Sequence, residues 1–215
     1  MEAADIKTTT AIEGRHWWYR ERRAIIAREL RRLGPPGRAV EVGASGGGNS
    51  MVLQKHGWDV LATEYIAEGV EIAQSRGLNA IQADARKLPL ESDSYDLAIA
   101  FDVLEHIEED YLAAAEMCRV LRPGGTALIA VPCDMALWSA HDVASGHVRR
   151  YTRTTLTALL AGAGLRIDRV WSWNVLLRPV VAIRRKSTTG SDVTDLHPVV
   201  NGVLSAIIKA ERYLP

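Results

Sequence analysis

The segment Val40-Glu41-Val42-Gly43-Ala44-Ser45-Gly46-Gly47-Gly48-Asn49-Ser50 constrains this chain more than any other. An apolar, β-branched run passes into a glycine cluster and then into a helix-forming stretch. That order predicts a strand, a tight turn and a helix N-terminus. Glycine admits positive φ and leaves no side chain between the main chain and a ligand. The helix start adds free N–H groups facing the same spot. A turn of this build holds a cofactor against bare backbone.

The flanking sequence supplies the rest of the fold. A helix is expected over 12–33, closed by Gly34-Pro35-Pro36-Gly37. Strands are expected at 38–43, 58–63, 79–82, 95–101, 126–131 and 165–171, with helices at 47–56, 66–76, 110–121 and 152–163 and a loop at 88–94. This alternation predicts an α/β fold: a doubly wound, mostly parallel, Rossmann-like sheet with helices on both faces. Ligands in such a sheet gather at the carboxyl ends of the strands, where the strand order reverses. The tail carries apolar helix candidates at 175–183 and 199–208. A lid, a homodimer contact and a membrane-surface helix are its readings. Arg178 and Pro179 interrupt the first apolar patch and disfavour the membrane surface. The expected division is a single domain over 1–215, with an N-terminal cap helix to 36, a cofactor-binding core over 37–172 and a helical segment from 173.

Composition removes several classes. The chain holds 26 basic and 26 acidic residues, so no net charge argues for nucleic acid. The arginines of the first helix read as a solvated face. Two cysteines, Cys118 and Cys133, make no disulfide framework, and no metal-ligand spacing is present, so no metal is expected. The N-terminal residues lack a signal-peptide build, and no apolar run reaches the ~20 residues needed to cross a bilayer. A cytoplasmic location is expected.

Two cofactor classes use a strand, a glycine turn and a helix. A dinucleotide site wants glycine at relative positions 1, 3 and 6. Counting from Gly43 puts Ser45 at the third position, and counting from Gly46 puts Met51 at the sixth. A nicotinamide-dependent oxidoreductase is therefore the weaker reading. Glu64 closes the second strand, where a carboxylate can accept from ribose hydroxyls. Asp84 closes the third, where it can accept from an adenine amine. The fourth ends in Phe101-Asp102-Val103-Leu104-Glu105-His106.

These residues resemble those of the class I S-adenosylmethionine-dependent methyltransferases, in the small-molecule group with the type 11 methyltransferase domain. The resemblance covers roughly 36–170. It implies S-adenosyl-L-methionine as cofactor and methyl transfer to a small organic molecule by in-line displacement. It places Gly43, Ala44, Ser45, Gly46 and Gly47 around the methionine part, with Glu41 supporting the turn. Glu64 and Tyr65 fall at the ribose, Asp84 and Ala85 at the adenine, and Phe101, Asp102 and Val103 at the cofactor edge. Leu121-Arg122-Pro123-Gly124-Gly125 matches the approach to the fifth strand. One departure is Ser45 in place of the family's middle glycine; serine fits there if its φ is negative. The fold usually adds an antiparallel strand beside the sixth, and none is legible after Trp171. Non-methylating chemistry on the sulfonium, such as cyclisation, and a non-catalytic cofactor-binding protein are further alternatives.

The segment Glu13-Gly14-Arg15-His16-Trp17-Trp18-Tyr19-Arg20 resembles the cap helix of a bacterial subgroup. The resemblance implies that Trp17 closes over the cofactor and that Arg20 or Arg23 pairs with its carboxylate. Trp18 reads more readily as a core residue. On the acceptor side, His106, His141, His147 and Tyr151 are the candidate catalytic residues. The loop over 133–151, with Trp138, Arg149 and Arg150, suits a small acceptor bearing a carboxylate or phosphate. The other reading of His147, Arg150 and Tyr151 is a hydrogen-bonded cluster that orders the loop. Cys133 has no legible histidine and carboxylate to activate it, and Cys118 reads as a buried apolar residue.

Overall fold

The structure is a computed structural model and describes residues 3–186 and 195–213. Parts of the expected helical tail, 187–194 and 214–215, lie outside the described residues, as do 1 and 2.

The expected first helix is two helices. α1 (Ala3–Ile12) and α2 (Trp17–Leu30) are separated at Gly14. The break follows from Gly14 and from His16, which adopts an extended conformation and caps α2 by accepting from the Trp18 N–H. There follow β1 (Arg38–Val42), α3 (Ser50–Lys55), β2 (Asp59–Glu64), α4 (Ala67–Ser75), β3 (Asn79–Gln82), β4 (Tyr95–Phe101), α5 (Asp110–Val120) and β5 (Leu121–Ala130). A short turn at Leu104–His106 follows β4, and α6 (Ala140–Ala144), α7 (Arg153–Gly162), α8 (Arg178–Arg185) and α9 (Pro198–Glu211) complete the described chain.

The sheet is parallel throughout, in the order β3-β2-β1-β4-β5. Val40 pairs with Leu61 on one side and Ala98 on the other. Period-two alternation sorts the strands between two cores. Val40, Val42, Ala98 and Ala100 face Met117 and Val120 of α5. Ala39, Leu97 and Ile99 face Ile26 and Leu30 of α2 and Leu53 of α3. A central parallel strand buried on both faces reads as a continuous apolar run, as β1 and β4 do. The order reverses between β1 and β4, which opens the crevice at their carboxyl ends.

Two expectations about the far edge are corrected. β5 begins at Leu121 rather than 126, with a register shift opposite Tyr95 and Leu97 that absorbs Pro123-Gly124-Gly125. The expected sixth strand at 165–171 does not form; β5 is an edge strand among the described residues. The segment does alternate, but its side chains are held elsewhere. Arg169 pairs with the buried Glu29 of α2, and Trp173 packs on Trp18 with ring centroids 4.2 Å apart. Those anchors draw the backbone to α2 instead of to the β5 edge. The tail joins the same side: Trp17, Leu177 and Ile208 form a buried cluster, and Arg212 of α9 pairs with the buried Glu21. No helix among the described residues is long and apolar enough to cross a membrane.

Candidate functional site

The glycine turn is built around two glutamates. Glu41, buried in β1, accepts from Asn49 Nδ2 at 2.9 Å and from the Ser50 hydroxyl, and so ties the strand to the start of α3. Burial pushes its carboxyl up to about 7, against the hydrogen bonds that favour its charged form. Glu64 closes β2 and bridges the crevice. Its Oε2 accepts from the Ser45 N–H at 2.7 Å and its Oε1 from the Ile66 N–H at 2.9 Å. Each oxygen keeps a lone pair for a ligand.

Gly43 sits at φ +69°, and a Cβ there would meet the Val103 side chain at 2.5 Å. Only glycine lets β1 turn this close to the tip of β4. Ser45 lies at φ +50°, so the condition of a negative φ under which a serine fits is not met. A residue with a Cβ is strained in this region by about 1 kcal/mol or more. Its hydroxyl is buried without a hydrogen-bond partner, as is that of Thr10. Thr10 Oγ1 lies 2.4 Å from where a Cβ of Gly46 would stand, so α1 covers the turn. Glu13, just past α1, accepts from Arg76 at 2.6 Å and from Arg23 at 3.2 Å, and Arg76 also donates to the Gly46 carbonyl at 2.7 Å. The orphaned Ser45 hydroxyl, the Glu64 carboxylate and bare main chain border one cleft, with the Thr10 hydroxyl buried behind Gly46. That set fits the polar methionine and ribose parts of S-adenosylmethionine.

The other cofactor candidates are placed unevenly. Asp84 lines the cleft, but both its oxygens accept from Arg86, which holds its carboxyl below the usual range. Ala85 lies half-buried beneath it, whereas Tyr65 is 62% exposed. Phe101, Asp102 and Val103 line the same cleft. Asp102 adopts φ +55° and pairs with the buried Arg22, whose guanidinium lies 6.0 Å from the Phe101 ring centroid. Arg20 is exposed and outside the cleft, and Arg23 is spent on Glu13. The arginine that faces the site is Arg22, which the sequence reading missed. Its signal was its place on the buried stripe of α2, with Ile25, Ile26 and Glu29. Trp17 borders the cleft from within the cluster that pins α2 to α9.

The cleft runs on from the turn past β4 to the loop after β5, with a volume of about 2170 Å³. There, His106, His141 and His147 come together: the His106 and His147 rings lie 4.7 Å apart and those of His141 and His147 lie 6.1 Å apart. The hub of this region is Asp142, fully buried, which no catalytic candidate anticipated. Its Oδ1 accepts from His147 Nδ1 at 3.0 Å and Arg150 Nε at 2.8 Å. Its Oδ2 accepts from the Ser139 N–H at 2.9 Å and Arg185 at 3.2 Å. The capping box from Ser139 to Asp142 was its sequence signal. Tyr151 is buried and donates to Asp110 Oδ2 at 2.7 Å; burial and that carboxylate raise its phenol. Its geometry is that of a pin between the loop and α5. Burial pushes His106 down to about 4, which makes it an uncharged and weak proton acceptor at neutral pH. Cys118 is half-buried rather than buried, and Cys133 is exposed.

Residues 40–129 match a family described as Methyltransferase domain. A curated protein of Mycolicibacterium smegmatis, named "Probable S-adenosylmethionine-dependent methyltransferase", is 26% identical over 167 residues, or 75% of this chain. This chain spans 64% of that relative's length. Among solved structures, the YcgJ protein of Bacillus subtilis matches with a TM-score of 0.62 at 19% identity, covering 76% of this chain and 77% of its own. An S-adenosylmethionine-dependent methyltransferase of Mesorhizobium loti gives 0.59 at 21%, covering 73% and 90%. These two likenesses concern the fold. With the strand order, the matched segment makes residues 40–129 similar to a methyltransferase domain, and the chain similar to S-adenosylmethionine-dependent methyltransferases.

Proposed function

We propose that this chain transfers a methyl group from S-adenosylmethionine to a small organic acceptor. The observation that carries the reading is Glu64, buried at the end of β2 and bonded to the turn at Ser45, at the head of a cleft that continues to His106 and His147. The main chain of the 43–47 turn, with the Ser45 hydroxyl, would hold the methionine part. Glu64 would accept from the ribose hydroxyls, and Asp84 from the adenine amine through lone pairs that Arg86 leaves free.

The cofactor's sulfonium supplies the reactive methyl group. The acceptor atom forms a bond to that carbon as the carbon–sulfur bond breaks, and the electron pair leaves with sulfur. The chain's share is alignment, which can contribute ~7–11 kcal/mol towards the barrier. α1 and Glu13 just past it cover the glycine turn, a cover that would limit water there. Burial pushes His106 down to about 4 and keeps it uncharged at neutral pH. The room past β4, lined by aromatic and cationic side chains, suits a small acceptor better than a polymer.

Calorimetry with S-adenosylmethionine, followed by incubation with candidate acceptors and mass spectrometry, tests the reading. Binding and a product heavier by one CH₂ are expected. Binding without a methylated product would favour other chemistry on the sulfonium, and absence of binding would overturn the assignment.

A further inference from the structure

Glu105, His106 and His147 each bring one donor atom to within 4.8 Å of the others. Glu105 is fully buried in the turn after β4, and neither of its oxygens has a hydrogen-bond partner. A carboxylate in that position is costly unless a cation or donor meets it. The two guanidinium groups that act on it, Arg22 and Arg150, are bonded to Asp102 and to Asp142, and the buried Arg22 Nε and Arg150 Nη2 that stay unpartnered do not reach its oxygens. What does face it is His147, with Nε2 4.0 Å from Glu105 Oε1.

Both rings are oriented as ligands. His147 Nδ1 meets the Asp142 carboxylate at 3.0 Å, and His106 Nδ1 meets the Gly146 carbonyl at 3.3 Å. Neither oxygen can donate, so each Nδ1 carries the proton and each Nε2 is left with its lone pair. Metal-bound histidines are held in this way, by a carboxylate or a backbone carbonyl on the far nitrogen. Asp142 is itself fixed by Arg150, Arg185 and the Ser139 N–H.

We infer that Glu105, His106 and His147 form a binding site for a divalent first-row transition-metal ion, of the zinc or iron(II) kind. Two imidazoles and one carboxylate are the donor set such ions take, with the remaining positions open to another ligand. Donors bound at ~2.0–2.2 Å stand roughly 3–3.6 Å apart in that geometry. Reaching that spacing from the present one would take small shifts of the half-buried His106 and His147 rings towards Glu105. All three residues line the cleft that leads from the cofactor turn. An oxygen acceptor, such as a hydroxyl with a neighbouring oxygen, would dock there and lose its proton more readily. This last step rests on the methyl-transfer reading; metal binding does not. The site escaped the sequence because its donors lie about forty residues apart.

The test is cobalt(II) titration of the chelator-treated full chain, read by visible ligand-field absorption, with zinc as competitor. One equivalent is expected to give the intense bands of a low-coordinate site and to be displaced by zinc. His106→Ala and His147→Ala should each weaken binding by more than ~100-fold, beyond the ~10–100-fold of an outer-shell partner, and Glu105→Gln should do the same. Calorimetry with S-adenosylmethionine reports whether each variant is folded. Should Glu105→Gln fail that check, the less buried His106→Ala decides. Bands no stronger than those of aqueous cobalt, or histidine variants that bind as the parent does, would overturn the site. Cobalt binding of the expected kind without any methylated product would sink the transfer reading and leave the metal site standing.

Discussion

The two ends of the cleft are held together differently. At the β1–β2 end, two glutamates hold the turn within one strand–turn–helix unit and its neighbour: Glu41 accepts from the Asn49 and Ser50 side chains, and Glu64 from the main-chain N–H groups of Ser45 and Ile66. Past β4 and β5, the contacts are between side chains and, Asp142 with Arg150 apart, join segments about forty residues distant: Asp142 with Arg185, Tyr151 with Asp110, and His147 beside Glu105. The first end offers a ligand main-chain groups of the glycine turn, which a change of side chain elsewhere leaves in place. The second can be rebuilt by changing side chains, which is where an enzyme's choice of acceptor is made.

That contrast can be broken at several points. The largest effect is expected at Asp142→Ala. It leaves Arg150 and Arg185 facing an empty buried site, and loss of one partner from such a cluster costs about 3–5 kcal/mol. Thermal unfolding should show the drop. If calorimetric affinity for S-adenosylmethionine in the variant that remains folded falls as steeply, the two ends are not separate. Next is Glu64→Ala, which removes the acceptor of two backbone N–H groups and the proposed ribose contact. Cofactor affinity should weaken roughly 100-fold, from about 1.5–3 kcal/mol per charged hydrogen bond. Unchanged affinity in calorimetry would remove Glu64 from the site.

A pH effect of intermediate size belongs to Glu41. Its folded value, about 7, lies above the ordinary carboxyl range, so the folded state binds the proton more tightly. The stability this gives is present below pH ~4.5 and is lost as pH rises through about 7. Raising pH from 5 to 8 should cost on the order of 2 kcal/mol, and Glu41→Gln should flatten the profile of unfolding temperature against pH. The smallest change is Ser45→Gly, which relieves the left-handed strain at φ +50°. It should stabilise the chain by about 0.5–1 kcal/mol in denaturant titration, without touching the loop after β5.

The sheet was legible because buried parallel strands announce themselves as short apolar runs between glycines and helices. Val40 to Gly43 and Tyr95 to Phe101 needed no tertiary knowledge. The edge was not legible. Leu165 to Trp171 alternates as a strand does, yet alternation specifies only which side chains share a face; Glu29 of α2 holds Arg169, and Trp173 just beyond packs on Trp18. The cap divided at Gly14 for a local reason that was present in the sequence and outweighed by the helical run around it. Arg22 rather than Arg20 faces the cleft because the buried stripe of α2 is fixed by what it packs on.

The amino-acid sequence alone therefore determined the strand–turn–helix unit, the acids that close successive strands and the family they imply, since each rests on residues within a turn or two of one another. Only the tertiary structure decided the fate of Ser45, the hub at Asp142 and the meeting of Glu105 and His106 with His147. Those depend on which distant side chains share a buried volume, and burial is set by the packing of the whole sheet and its helices, not by any one segment.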